Sequence, residues 1–353
     1  MSVAVKLLDS AVYEVQSFQE SLVPGTKGPL FPHRHWLLAG PVLFCCLGLA
    51  EANFITDAPT TTGWLHEESS GFKPFSVLLL SVLGFSLLML VVQGLKLIRA
   101  PWLNQRALLL CGGLFLLIGW DLITTKTRWL PLPFFPGPNG VFSALIEDRR
   151  LLLRSTVDSL QLLLAGYALG VSLGIASGIL IGWFHQVRYW GIPILKFIGP
   201  IPATALVPFA MMISNEAFMC GAGLIAFAVW FPVTMLTTSG ILNVRIAYLD
   251  VARTFGASPL FLIMRVALPS ALPNIFFGLF MGLGVSFLTL ITAETVGVKS
   301  GLGWYLQWKK GYAEYAHVYA ALIIMSLFFS SIITLLFYVR DRILGWQKGV
   351  LRW

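Results

Sequence analysis

The sequence predicts an all-α, polytopic transmembrane helical bundle, and three observations predict it. Of its 353 residues, 57% are hydrophobic and only 11% charged, with a mean hydropathy of +0.81. In a soluble domain about a quarter of the residues carry charge. Several apolar runs also reach the roughly 20 residues that a helix needs to cross a bilayer, and outside them no stretch is long enough to form a soluble domain of useful size.

Eight spans are expected, near residues 36–55, 75–98, 107–125, 155–183, 200–214, 218–240, 270–293 and 317–340. The fifth is short and bracketed by Pro200, Pro202 and Pro208, which predicts a broken or tilted span, since proline removes a backbone donor and kinks a helix. Before the fourth, Leu130-Pro-Leu-Pro-Phe-Phe-Pro-Gly-Pro-Asn-Gly140 holds too many prolines for regular structure and reads as an extended surface segment. The first 35 residues are too polar for a secretory signal. There Val5, Leu8, Val12, Val15 and Leu22 recur at heptad-like spacing, which fits a surface amphipathic helix and, equally well, an irregular tail with chance periodicity.

The net charge of +8 reads as a membrane-topology signal. Lys and Arg occur singly or in pairs without interleaved aromatics, which argues against a nucleic-acid partner. Cys45, Cys46, Cys111 and Cys220 lie in apolar stretches without metal-ligand spacing and read as small buried hydrophobes. His33 and His35 lack a third ligand nearby, His66 and His185 are isolated, and His317, at the start of the last span, reads as interfacial. Gly297-Val-Lys-Ser-Gly-Leu-Gly303 lacks the spacing of a phosphate-binding loop and reads as a bent loop outside the membrane. No catalytic constellation, metal site or cofactor site is expected in this chain.

Two features inside the spans are expected to matter. Gly166, Gly170, Gly174, Gly178 and Gly182 recur every four residues, so one helix face is a strip without side chains on which another helix can approach closely, within the subunit or between subunits. Glu294, beside Thr289, Thr292 and Thr295, is an acid near lipid, where a truly central charge costs about 2.5–3.5 kcal/mol. It is expected either to line the outer translocation path with Thr289 and Thr292, or to brace the Gly297–Gly303 loop.

A polar island interrupts the apolar pattern between the sixth and seventh spans: Asp250-Val-Ala-Arg-Thr-Phe-Gly256, nine residues, then Val266-Ala-Leu-Pro269. A short helix is expected from Asp250 to about Met264. Ala252 favours it, Gly256 allows close backbone approach, and Ala257-Ser258-Pro259 forces a bend. Leu268-Pro269 is expected to close the loop, because the residue before proline is pushed out of the α region.

This island resembles the coupling-loop signature of binding-protein-dependent ABC importer permeases. Asp250, Val251 and Ala252 take the acidic-small-Ala positions, Gly256 the glycine, and Val266, Leu268 and Pro269 the closing positions, with Asp in place of Glu and Val in place of Ala as departures. Phe135-Pro-Gly-Pro-Asn-Gly-Val-Phe142, Leu290-Ile-Thr-Ala-Glu-Thr295 and Ser300-Gly-Leu-Gly-Trp304 resemble segments of the nitrate, sulfonate, taurine and bicarbonate branch. Met211-Met-Ile-Ser-Asn-Glu216 departs from the Trp-Phe-Gly of that branch, and residues 1–106 have no counterpart in the usual six-span core.

The resemblance implies a type I ABC importer permease fold. Its six-helix core would occupy 107–353 with a cytoplasmic coupling loop at about 241–269, preceded by a cytoplasmic tail, 1–35, and two extra transmembrane helices in 36–106. Asp250, Val251, Ala252, Gly256, Ala257, Val266, Leu268 and Pro269 would engage the ATPase. The implied partners are two ABC ATPase subunits, which bind ATP and Mg, a second permease subunit taken as another copy, and a solute-binding protein. The implied location is the bacterial inner membrane with both termini cytoplasmic. That orientation puts most of the 24 Lys and Arg residues inside, in accord with the positive-inside rule. Residues 126–154, with Lys126, Arg128, Arg149, Arg150 and Arg154, are discordant: either the rule is overridden there or these residues serve an external partner or an anionic solute.

The branch suggests nitrate, a sulfonate such as taurine, or bicarbonate as substrate; a pyrimidine-type or other organic nutrient is an alternative within the class. A secondary transporter or channel without an ATPase is the alternative outside it, and the single proline-rich short span without a second copy speaks against that.

Overall fold

The computed structural model describes residues 39–54, 74–94, 101–130, 132–213 and 216–346. The tail expected at 1–35, with His33 and His35, and the loop holding His66 lie outside these residues. Every regular element among the described residues is helical. The chain divides into two compact units, one up to Leu130 and one from 131 to Trp346.

The first unit contains α1 (Ala39–Phe54), α2 (Pro74–Gly94) and α3 (Pro101–Asp121), which runs on as π-helix through Leu122–Lys126. Small residues set the distance between them. A Cβ at Gly40 would lie 2.7 Å from Cys111 Sγ, and one at Gly48 would lie 3.0 Å from Ile118. Positions along α1 and α3 thus advance together, so the two helices run parallel.

In the second unit α4 (Pro138–Glu147) precedes α5 (Arg149–Trp183), α6 (His185–Ile198), a 3-10 turn (Ala203–Leu206) and α7 (Val207–Ile213). Next come α8 (Ala217–Leu242), α9 (Ile246–Thr254), a helical turn at Pro259–Phe261, a π-helical stretch (Leu262–Ala267) and α10 (Leu268–Val296). The unit closes with α11 (Leu302–Gly311) and α12 (Tyr315–Ile343).

Five of the described helices are long and apolar enough to cross a membrane, or six with one bent pair, against the eight expected. The first two expected spans appear as shorter apolar stretches, Ala39–Glu51 and Pro74–Met89. The expected fifth span begins at His185 rather than 200 and is broken, the chain bending by 79° between its two pieces. The break falls at Gly199-Pro-Ile-Pro202, where two prolines remove backbone donors from the helical ladder. The fourth span starts six residues earlier than expected, because Arg149, Arg150 and Arg154 extend the helix beyond its apolar stretch. The proline-rich segment is irregular only as far as Gly137: Pro138 opens α4, since a first-turn proline lacks only an N–H that would have no helical partner. α11 lies inside what reads as a loop.

α8 is the central helix. The glycine strip of α5 lies along it within the subunit, with Gly166 facing Ile225, Gly170 Val229, Gly174 Val233, Gly178 Thr237 and Gly182 Ile241. Each pairing advances four residues on both helices, so α5 and α8 are parallel. The partners are all β-branched and restricted at χ1 in a helix, Ile and Val to essentially one rotamer, and therefore act as stiff knobs. On the other side α10 runs antiparallel, with Gly278 against Leu236 and Val233, and Gly282 against Val229. Tyr167 donates a 2.8 Å hydrogen bond to the Leu279 carbonyl, joining α5 to α10. Phe287 stacks on Phe329 at 3.9 Å, joining α10 to α12. Cys45 and Cys220 are buried as expected, whereas Cys46 is exposed, a polarizable group suited to an apolar surface.

Candidate functional site

The polar island forms a sharp corner. α9 covers Ile246–Thr254, so the expected helix from Asp250 to Met264 is corrected: Asp250 sits mid-helix and the helix stops before Gly256. The stop is a Schellman motif. Gly256 has φ +80°; its N–H bonds the Arg253 carbonyl at 2.9 Å and the Ala257 N–H bonds the Ala252 carbonyl at 3.1 Å, the paired bonds of that cap. The spacing of Ala252 to Gly256 is thus the spacing from the third-last helical residue to the left-handed residue. A Cβ at Gly256 would meet nothing within 4 Å. Its glycine is needed for backbone conformation, not for the close approach expected from the sequence.

After the corner, Ser258 caps the next helical turn, its Oγ accepting from the Phe261 N–H at 3.3 Å, and Pro259 sits in the first turn. The chain then continues without a break to Val296, 38 residues in all. Leu268-Pro269 therefore does not close the loop. Leu268 is helical (φ −62°, ψ −47°), and the π-helical stretch before Pro269 loosens the turn into which its ring projects. Val266, Leu268 and Pro269 lie within this continuous helix and not at its boundary.

No residue of α9 is buried, yet its surface is apolar. Ile246 is 71% exposed, Phe255 86% and Leu260 70%, and Tyr248 and Val251 are exposed beside them. Asp250 and Arg253 form an exposed 3.1 Å ion pair on the same helix. These are exposed apolar side chains on and just beyond a helix that buries none of its own residues.

Glu294 lies at the opposite end of α10 and is only 2% exposed. Ser159 on α5 donates to its Oε1 at 2.6 Å, and the Gly303 N–H donates to its Oε2 at 2.7 Å. Ser159 Oγ also accepts from the Leu302 N–H at 2.9 Å. A side chain at Gly301 (φ +97°) would collide with the Glu294 carboxylate, and one at Gly303 would crowd it. The Gly-Leu-Gly sequence thus opens a socket for the carboxylate, which ties α5, α10 and α11 together. Thr289 and Thr292 donate to carbonyls of their own helix, Val285 and Leu288; Thr289 is buried and Thr292 partly so.

Beyond this socket, Lys309 on α11 bridges Asp148 (2.9 Å) and Glu314 (2.7 Å), and its Nζ lies 5.0 Å from the Trp308 ring centre. Tyr305 donates to Asp148 Oδ2 at 2.8 Å. Burial pushes the Asp148 carboxyl up, but the hydrogen bonds from Lys309 and Tyr305 outweigh it and hold Asp148 below the ordinary aspartate range. Burial likewise pulls Lys309 down, but its bonds to Glu314 and Asp148 prevail and raise it. His317, expected to be interfacial, lies 3.5–3.8 Å from Glu314, Asp148 and Glu147. Asp148, Ser159, Tyr305 and Lys309 are not legible in the sequence: more than a hundred residues separate Ser159 from Glu294 and Asp148 from Tyr305 and Lys309, and no local motif marks them.

Residues 170–345, which include the corner, Glu294 and the glycines of its socket, match the family model described as binding-protein-dependent transport system inner membrane component. The chain is 30% identical over 217 residues to a probable ABC transporter permease protein of Haemophilus influenzae, covering 62% of this chain and 88% of that protein. The chain belongs to this permease family. The permease is also 29% identical over 279 residues to the bicarbonate transport system permease protein CmpB of Synechococcus elongatus, covering 74% of this chain and 94% of that one. It is 32% identical over 162 residues to the putative aliphatic sulfonates transport permease protein SsuC of Bacillus subtilis, covering 46% and 59% respectively. It is therefore a multi-pass inner-membrane transport component with the type I importer permease fold, and ATP hydrolysis in such systems lies in separate subunits.

Proposed function

We propose that this permease forms, with a second copy of itself, the translocation path for a small anion of the bicarbonate or sulfonate kind. A solute-binding protein delivers the anion from outside, and two cytoplasmic ATPase subunits, which hold ATP and Mg, drive the cycle. The observation that carries the coupling is α9: a helix with no buried residue and an apolar surface, joined by three residues to α8 and by a four-residue corner to the 38-residue helix ending at Val296. Such a helix buries none of its residues within the chain, which suits a surface that a partner protein receives. Closure of the ATPase dimer moves α9, and the corner passes that movement to α8 and α10, the central helices of the unit. The permease then changes between inward-open and outward-open arrangements, as rigid elements turning about tight connections do.

Asp250, Val251, Ala252, Gly256 and Ala257 shape the docking helix and its corner; Val266, Leu268 and Pro269 stiffen the lever that leaves it. This places α9 and both termini in the cytoplasm. The substrate class rests on the names of the relatives, with Arg149, Arg150, Arg154 and Lys299 supplying positive potential at the outer end.

Purification from the native membrane in mild detergent tests the assembly: an ATPase with a phosphate-binding loop should accompany the chain, and the accompanying binding protein identifies the solute. Gly256→Val tests the coupling. The left-handed residue strains any β-branched side chain, so transport per ATP hydrolysed should fall at least about tenfold, a difference of about 1.4 kcal/mol in coupling. Normally coupled uptake by this variant would refute the role given to the corner, and recovery of a chain that transports without ATP would refute the class of mechanism.

A further inference from the structure

Because α5 and α8 run parallel, the chain between them has to cross back through the bilayer, and α6 with α7 is the segment that does so. Packing fixes the heights along it. Gly191 of α6 lies against Ile181, beside the pairing of Gly182 with Ile241 at the α9 end of α8, whereas Gly199, at the end of α6, lies against Phe231 near the middle of α8. Beyond the break, Val207 packs on Cys220 and Leu224, toward the other end of α8. The break therefore falls at mid-membrane height, about 16 Å from the α9 end of α8 at the helical rise per residue.

The backbone at that height is open. Pro200 and Pro202 have no N–H, the segment is held by bonds from Gly199 to the Leu195 carbonyl, Ile201 to Ile198 and Ala205 to Pro202, and the carbonyls of Gly199, Pro200 and Ile201 accept no backbone bond among the described residues. Pro200, Ile201 and Pro202 are all exposed. Irregular backbone is tolerated at membrane depth only where protein covers it or water reaches it.

Lys196 stands one turn before the break. It is exposed and makes no hydrogen bond or ion pair among the described residues. A cation within a membrane-spanning segment faces a cavity and marks a substrate or ion pathway. At about 100° per residue from the buried Leu195, Lys196 and Tyr189 fall on one flank of α6, and Trp190, Ile194 and Phe197 on the other. The second flank is wholly apolar, as a lipid-facing surface is, so the charge is turned away from it.

We propose that Lys196 faces a water-filled translocation path at the height of the break, where its ammonium attracts oxyanions and repels cations. The same water hydrates the open carbonyls. This assignment rests on the anion reading given above and adds to it a charge inside the path, where Arg149, Arg150 and Arg154 act only at the outer end.

The test uses the complex as it purifies, in lipid nanodiscs, and charged methanethiosulfonates, which react with thiolates in water; modification is followed by peptide mass spectrometry. Lys196→Cys and Ile201→Cys should be labelled, and Phe197→Cys, at the same height on the apolar flank, at least about tenfold more slowly. In Ile201→Cys, the rate with the anionic 2-sulfonatoethyl reagent relative to the cationic 2-trimethylammonioethyl reagent should fall about tenfold when Lys196→Gln is added and be preserved by Lys196→Arg. If Ile201→Cys does not assemble, Pro202→Cys on the same exposed stretch takes its place. Unreactive thiols at 196 and at the break, or a rate ratio indifferent to Lys196→Gln, would overturn the proposal. Labelling is read without solute or ATP, so its failure is distinct from a failure of the anion reading, which the solute held by the accompanying binding protein decides.

Discussion

Replacing Gly178 by Ala should force apart the two parallel helices at the centre of the second unit. The added Cβ would lie 2.5 Å from Thr237 Cβ and 2.9 Å from the Thr234 carbonyl oxygen, whereas carbon atoms pack at about 3.5–4.0 Å. The seam must open by about 1 Å, because a helix backbone and a β-branched side chain cannot turn aside. Overpacking of this kind costs about 1–3 kcal/mol. Alanine also gains about 0.8–1.0 kcal/mol of helix propensity over glycine, which would hide part of the loss in a single measurement. Gly223→Ala on α8 supplies the correction: a Cβ there meets nothing within 4 Å, so it gains the propensity without the clash. The difference in unfolding free energy between the two variants, measured by reversible denaturation in mixed micelles, should therefore be about 1–3 kcal/mol. Adding Gly174→Ala to Gly178→Ala should cost much less than the sum, since one opening of the seam relieves both contacts. Equal stabilities for Gly178→Ala and Gly223→Ala would refute the reasoning, and would mean that the helices do not meet along the glycine strip.

Glu294→Ala should destabilise the second unit by about 2–6 kcal/mol, since it leaves the Gly303 N–H and the Ser159 hydroxyl without their acceptor at about 1–3 kcal/mol each; Glu294→Gln should lose less, as its carbonyl can still serve one of them. Lys309→Met should be destabilising at neutral pH, and the penalty should depend on pH at both ends. Asp148, whose folded pKa is depressed, contributes stability above the ordinary aspartate value of about 3.9 and loses it as pH falls through its folded value. Lys309, whose folded pKa is raised, contributes below the ordinary lysine value of about 10.4 and loses it as pH rises through its folded value. In a His317→Gln background, which removes the imidazole beside Asp148 and Glu314, the gap in Tm between Lys309 and Lys309→Met should thus be flat from about pH 5 to 9 and shrink outside that window; a gap that varied steadily across neutral pH in that background would refute this account.

Most of the helices could be read in the sequence because membrane helices answer to local rules: length, hydropathy and the placement of proline. The glycine strip was visible for the same reason, since a four-residue repeat puts Gly166 to Gly182 on one face whatever lies opposite. The same local reasoning failed where a neighbouring segment changed the geometry. Pro269 looked like a boundary and lies instead inside a continuous helix, because the π-helical stretch before it accommodates a residue that an α-helix would not. Gly256 looked like a close contact, but its open surroundings and positive φ show a chain-reversing cap.

By itself the sequence determined the membrane class, most of the spans and the coupling-corner signature, since each depends on residues close together in the chain and on their transfer to lipid. Only the tertiary structure decided that the glycine strip faces α8 in parallel, that Glu294 fills a socket made by Gly301 and Gly303, and that Lys309 joins Asp148 to Glu314. Those arrangements depend on the relative rotation and depth of helices far apart in sequence, set by packing and hydrogen-bond geometry that no local pattern encodes.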